Sequence, residues 1–247
     1  MNRFRILGLF LLVSILFSCS KSESHPNIRV SVAANFYPLM LELKKDFEEQ
    51  NSIEVELVSG ASGILSTQIR QGAPYDVFFS ADVNFCEELF SDGFAASPPT
   101  IYAKGSLVLC STMGNVSMEE LCTIGQSQKI GIANPKTAPY GMAALEFLKK
   151  QVCFDALEKN LVFANNINQL DQYISNGVVG LGFTARSSVT IKSFLRFYQE
   201  LPQTDGLEQA CILLDGKQTP HPLSQKFIDY ILSEDIQNVI VSKGYRL

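Results

Sequence analysis

Apolar residues recur along this chain in two rhythms, one near two residues and one near 3.6, and their alternation predicts the elements. Ile28–Ala33 reads as a strand, and Phe36–Gln50 as a helix with Leu39, Leu43 and Phe47 on one face. Ile53–Val58 is the next strand. Ser62–Arg70 is the next helix, with Ile64, Leu65 and Ile69 expected inward and Gly72 as its stop. Val77-Phe78-Phe79 is short and wholly apolar, like strands buried on both faces of a parallel sheet. Strand, helix, strand, helix, strand marks an α/β layer on a mostly parallel sheet.

Ser97-Pro98-Pro99 breaks this run, and Ile101–Leu109 follows as one long strand with Gly105 inside it. It marks a crossing into a second lobe, where the scheme repeats. Strand Lys129–Ala133, a turn at Asn134-Pro135, helix Tyr140–Lys149, strand Leu161–Ala164, a helix over Asn168–Ser175 and a buried strand over Gly177–Phe183 are expected. Phe194–Leu201 is the expected crossing back. Ala210–Leu214 then returns a strand to the first lobe, and Ser224–Lys243 closes it with a helix pair. The expected lobes are 28–103 with 202–247, and 104–201. Such lobes leave a cleft at the C-terminal ends of strands, a default ligand site. Hinge motion near 103–105 and 197–202 would open and close it.

The start of the chain follows another pattern. Met1-Asn2-Arg3-Phe4-Arg5 is basic, Ile6–Phe17 is apolar and Ser18-Cys19-Ser20 is small. That order describes a secretory signal over residues 1–18. Its apolar stretch falls short of the roughly 20 residues that span a bilayer. Leu16-Phe17-Ser18-Cys19 resembles the lipobox of bacterial lipoproteins, although Phe17 is an unusual occupant of that box. The resemblance implies lipid on Cys19, a tether over 19–27, and an exported protein anchored to a membrane on its periplasmic or extracellular side.

Composition narrows the chemistry. The chain carries 20 Lys and Arg against 25 Asp and Glu, with no basic run, which argues against nucleic acid. An anion would not be steered in from afar and would have to be held by local dipoles. His25 and His221 are the only histidines, so no metal is expected as a bare cation. Beyond Cys19, the cysteines Cys86, Cys110, Cys122, Cys153 and Cys211 form neither a zinc pattern nor a disulfide framework. At most two bridges can form among them. Cys110 and Cys211 sit in apolar runs, where a buried thiol is the default.

Four distant segments share one design: Ala33-Ala34-Asn35-Phe36, Gly60-Ala61-Ser62-Gly63, Ala138-Pro139-Tyr140-Gly141 and Asn165-Asn166-Ile167. Each places small, hydroxyl or amide residues just ahead of a helical run, where free backbone N–H groups point forward. Taken singly, Asn35 and Ser62 read as ordinary helix caps. Ile167 can offer only its N–H. Tyr140, held between Pro139 and Gly141, suits close approach to a ligand. Together the four would cage an anion without a single Lys or Arg.

Val30–Asn35, Ser59–Gly63, Gln68–Asp82, Asn134–Gly141 and Gly180–Phe183, in that order, resemble the periplasmic molybdate-binding proteins of ABC importers, over nearly all of the mature chain. The resemblance implies a two-lobed type II periplasmic-binding-protein fold, each lobe a mostly parallel sheet flanked by helices. It implies a monomer that needs no cofactor, binds molybdate or tungstate and meets ABC permease subunits. It implies oxyanion contacts from Asn35, Ser62, Tyr140 and Ile167, with Ala34, Phe36, Gly63 and Phe183 as second contacts. Many members have Tyr where Phe183 stands and Ala where Tyr140 stands, so a phenol donor is expected to have changed walls. Asp76 and Asp82 read as turn and cap residues.

Helix N-termini each carry roughly half a positive charge, and several could replace the hydration of a tetrahedral dianion. No carboxylate stands in the four segments to accept the proton of hydrogen phosphate. Sulfate would be discriminated by its smaller size. An exported hydrolase is disfavoured, because Gly60-Ala61-Ser62-Gly63 lacks the spacing of a nucleophile elbow.

Overall fold

The computed structural model describes residues 28–192, 197–201, 207–215 and 222–247. The proposed signal, Cys19, the tether and both histidines lie outside the described residues. Two five-stranded sheets organise the chain. The first has the order β2-β1-β3-β10-β4, built from β1 (Ile28–Ala33), β2 (Val55–Gly60), β3 (Val77–Phe79), β4 (Thr100–Gly105) and β10 (Leu207–Leu213). The second has the order β7-β6-β8-β5-β9, from β5 (Leu107–Ser111), β6 (Ile130–Ala133), β7 (Leu161–Ala164), β8 (Leu181–Ala185) and β9 (Phe197–Glu200).

Each sheet is mostly parallel in strand direction, with one reversed strand inserted before the edge. In each, three neighbours pair in parallel (β2-β1-β3 and β7-β6-β8), one strand (β10 or β5) runs antiparallel to both of its neighbours, and the edge strand beyond it (β4 or β9) therefore runs in the same direction as the first three. The long strand read over Ile101–Leu109 divides at Ser106: β4 belongs to the first sheet and β5 to the second. Residues 197–200, expected within the crossing back, pair instead with β5 in the second sheet.

Helices cover the sheets on their apolar faces. In the first lobe, α1 (Tyr37–Asn51) buries Leu39, Met40, Leu43 and Phe47, and it ends at Ser52 in the left-handed conformation. α2 (Ser62–Arg70) buries Leu65 and Ile69, but Ile64 is 44% exposed. Leu65 and Ile69 are one helical turn apart and share a face, whereas Ile64 lies about 100° round the helix from Leu65. α3 (Val83–Ser91) is capped by the Asp82 carboxylate, which accepts from the Asn84 N–H, and Asp76 accepts from the Arg29 N–H.

In the second lobe, α4 (Leu121–Gly125) and α6 (Phe154–Glu158) flank α5 (Pro139–Lys149). A disulfide joins Cys122 to Cys153, while Cys86, Cys110 and Cys211 are free and buried. α7 (Ile167–Ser175) and α8 (Arg186–Ile191) complete this lobe, and α9 (Pro222–Leu232) with α10 (Glu234–Ser242) closes the first. No described helix is long and apolar enough to cross a membrane.

Register fixes the positions that matter for function. The ends of β1 and β2 lie side by side, Ala33 against Gly60, and so do those of β6 and β7, Ala133 against Ala164. The loops after each pair are therefore neighbours, and the two pairs meet across the cleft.

Candidate functional site

A small cavity lies where those loops meet, lined by Ala33, Ala34 and Asn35, by Gly60 to Ser62 and Ala81, and by Ala138 to Tyr140, Asn166 and Ile167. All four segments singled out in the sequence contribute to it, two from each lobe. Among the described residues no Asp, Glu, Lys, Arg or His lines the wall. Ala33, Ala61, Ala81 and Ala138 are all buried, and their small side chains let the lobes approach closely.

The helix starts around this cavity are under-capped. α2 begins after Ala61 and α5 after Ala138, and neither start receives a side-chain cap bond. Alanine is among the poorest residues at that position, with a cost of about 1 kcal/mol against Ser or Asp. Both ends are nevertheless buried, with Ser62 and Tyr140 each 1% exposed. First-turn N–H groups have no intrahelical acceptor, so a buried, uncapped N-terminus needs a partner from elsewhere. Among the described residues no loop carbonyl or side chain takes the N–H groups of Asn35, Ser62, Tyr140 or Ile167. Only α7 has its own cap, the Asn166 side chain accepting from the Gln169 N–H at 3.0 Å.

Ser62 adds a directed hydroxyl. Its Oγ accepts from the Ala81 N–H at 3.0 Å, which leaves its own proton free to donate into the cavity. Ser62 is the first residue of α2, not its cap, so two donors leave one residue.

Asn35 and Tyr140 are placed differently from a simple ligand pair. Behind the cavity wall lies a buried polar hub of Asn35, Tyr102, Tyr140, Gln209 and Tyr245. The Asn35 side-chain amide donates to Gln209 Oε1 at 2.9 Å and to the Tyr245 hydroxyl at 3.3 Å. Tyr245 donates to the Asn35 carbonyl at 3.0 Å, and Tyr102 donates to Gln209 Oε1 at 2.9 Å. Gln209 Nε2 donates to the Tyr140 hydroxyl at 3.1 Å. Burial drives the phenols of Tyr102, Tyr140 and Tyr245 well above the ordinary tyrosine range, so all three stay neutral. Asn35 thus turns its amide into the hub and offers the cavity its backbone N–H.

The remaining expected contacts, Ala34 excepted, stand off the wall. Ala34 lines the cavity. Phe36 does not; it packs under the hub, with ring centroids 4.8 Å from Tyr102 and 5.3 Å from Tyr245. The Gly63 N–H is spent on the Thr137 carbonyl at 2.9 Å. Phe183 is buried in the second lobe's core, 5.6 Å from Phe147. The bare Cα of Gly141 faces the Ala133 carbonyl and not the cavity. Gln209, Tyr102, Tyr245 and Ala81 were not singled out in the sequence. An amide inside the apolar run 207–214 was the one available signal.

Among the described residues no group of three His, Cys, Asp or Glu side chains could hold a metal ion. The site can therefore offer a guest fixed dipoles and hydroxyl protons, and no countercharge.

Comparison with known proteins gives one consistent result. The family model for bacterial extracellular solute-binding proteins matches residues 28–246. The chain is 32% identical over 245 residues to the molybdate-binding protein ModA of Azotobacter vinelandii, with 94% of each chain covered. It is 31% identical to ModA of Rhodobacter capsulatus, over 87% of this chain and 86% of that one. The solved periplasmic molybdate-binding protein of Azotobacter vinelandii superposes with a TM-score of 0.80 at 28% identity, over 89% of this chain and 99% of that one.

Proposed function

Because the chain belongs to the bacterial extracellular solute-binding proteins, we propose that it captures molybdate, and equally tungstate, outside the cytoplasm and delivers it to an ABC importer. One observation carries the reading: two buried helix N-termini, α2 and α5, face one cavity with Ala at each cap position and no charged residue on the wall. The oxyanion would serve as their common cap. The N–H groups of Asn35, Ser62, Tyr140 and Ile167 and the Ser62 hydroxyl would hold its oxygens. In a small cavity shielded from water, such dipoles act more strongly than in bulk. The names of the relatives, with identities above 30% over most of the chain, support molybdate as the ligand.

A wall of donors without a carboxylate selects a fully deprotonated guest. Hydrogen phosphate would bring a proton with no acceptor, at a cost of about 1–3 kcal/mol. Sulfate has the same charge as molybdate but shorter bonds, so it would leave part of the donor set unpaired. The importer would meet the rims of both lobes in the closed form. Lipid on Cys19, suggested by Leu16–Cys19, would keep the protein at the membrane, and Cys19→Ser should release it to the soluble fraction.

The test is a thermal-shift panel with molybdate, tungstate, sulfate, phosphate and amino acids. Ligand at about 100 times its dissociation constant should add about 2.7 kcal/mol to the folded state. Molybdate and tungstate should give equal, large shifts. A larger shift with sulfate would replace this reading with that of a sulfate receptor.

A further inference from the structure

At two close contacts between the lobes beside the cavity, the first lobe presents a glycine. On one side, Gly63 at the start of α2 donates its N–H to the Thr137 carbonyl of the second lobe at 2.9 Å. A Cβ on Gly63 would stand 3.1 Å from that oxygen and 3.2 Å from the Thr137 Cα. On the other side, the Tyr140 phenol reaches from α5 of the second lobe to Gly105, the last residue of β4. A Cβ on Gly105 would lie 2.0 Å from the Tyr140 oxygen and 2.4 Å from Gln209 Nε2. Backbone and a buried, bonded ring thus meet with no compressible side chain between them.

From this geometry we propose that the Tyr140 phenol, seated on Gly105 and held by Gln209, is a mechanical stop that sets how far the lobes close, and so the size of anion the cavity accepts. The inference rests on the oxyanion reading above and adds positioning residues to it. Three features support the stop. Within the five-residue hub the phenol comes from the second lobe, and Asn35, Tyr102, Gln209 and Tyr245 belong to the first. Its seat lies at Gly105, one residue before the crossing at Ser106, and Gly105 pairs with Leu207 on the returning strand. Gln209 is fully buried and has both ends bonded, so swinging away would break its bonds with Asn35, Tyr102 and Tyr140 together. Packed interiors respond to such contacts as discrete stops, not as soft springs.

A stop explains discrimination by size among anions of equal charge. Were closure limited only by the guest, the lobes would follow a smaller anion inward and bond it as well. With the phenol seated, the donors of the two lobes keep one separation, and a smaller tetrahedron cannot reach both sets.

The experiment measures molybdate and sulfate dissociation constants by calorimetry for the wild type, Gly105→Ala, Tyr140→Ala and the double variant. Small-angle scattering with and without molybdate follows closure. Tyr140→Ala keeps the backbone N–H, so it removes the stop and spares that donor. Gly105→Ala should hold the lobes apart, weaken molybdate by about tenfold or more and abolish the compaction seen on loading. In the Tyr140→Ala background the same substitution should cost at least about threefold less than in wild type, the remainder coming from its contact with Gln209 Nε2, since contacting residues couple. Equal penalties in both backgrounds would overturn the proposal.

Tyr140→Ala alone should lower the preference for molybdate over sulfate by about tenfold. An unchanged ratio would also overturn the proposal, and this arm stands even if Gly105→Ala fails to fold. Wild type that binds neither anion would sink the oxyanion reading itself. Wild type that binds with no coupling would sink only the stop.

Discussion

The protein buries two polar clusters, and it treats charge in opposite ways in them. Behind the cavity, five neutral side chains exchange hydrogen bonds. On α7, Asp171 is 1% exposed and paired with a cation: it accepts from the Thr184 hydroxyl at 2.5 Å and from Lys192 Nζ at 2.5 Å, while Lys192 also donates to Asn168 at 3.2 Å. Asp171 sits four residues after Ile167, whose N–H faces the cavity. The fold can therefore bury a compensated ion pair close to its site, yet it keeps every charge off the wall. A fixed cation there would raise affinity for all anions alike, and a fixed anion would exclude them. Neutral donors leave geometry and protonation state to decide.

The sharpest way to break this contrast is to put a charge on the wall. Ser62→Asp should weaken molybdate binding by about 1,000-fold or more, since it sets an uncompensated buried carboxylate against a dianion. Calorimetry would read the loss, and retained binding would show that the wall tolerates charge.

The reverse substitution should affect stability and not binding. Asp171→Asn leaves Lys192 without its countercharge and should cost about 3 kcal/mol by urea unfolding, at the low end of the range for a broken buried pair because Lys192 is partly exposed. Its molybdate dissociation constant should stay within about threefold of wild type. A large loss of affinity would mean that the two clusters are coupled.

Ser62→Ala removes one charge-assisted donor and should weaken binding by about 10- to 100-fold, with sulfate and molybdate affected in proportion. The smallest effect should come from pH. With no titrating group on the wall except a phenol held high by burial, affinity should be flat between about pH 6 and about pH 8.5.

Stability should behave differently at high pH. Cys86, Cys110 and Cys211 are pushed up by burial, the latter two to about 12, and the hub phenols are raised as well. Their folded values exceed their unfolded ones, so their contribution is complete at neutral pH. From about pH 9 the unfolded chain releases protons that the folded one retains, and stability falls as pH rises further. Denaturant midpoints measured across that range would check the sign.

Much of the molecule was legible beforehand, and the reasons differ between elements. β1, β2, β3, α1 and α5 follow from local periodicity, because a strand or helix needs only its own residues to show which face is apolar. The donor segments were legible for a related reason: a helix start is a local event, and Ala, Ser and Asn at such starts can be read one by one. Ile64 was misjudged because an apolar residue on a first turn can face the rim as easily as the core. The Cys122–Cys153 bridge was not readable from spacing alone, since any two of five thiols could have met.

The sequence by itself determined the order of strands and helices, the junctions that carry N–H donors and the absence of charge among them, because each depends on neighbours within a few residues. Only the tertiary structure decided which junctions share a cavity, where the Tyr140 phenol rests and that Gln209 completes the hub. Asn35 and Gln209 are 174 positions apart, and Asn35 and Tyr245 are 210 apart. No periodicity extends that far. Such partners are set by strand order and by how the two lobes dock, where packing density and hydrogen-bond satisfaction select one arrangement from many compatible with the same local pattern.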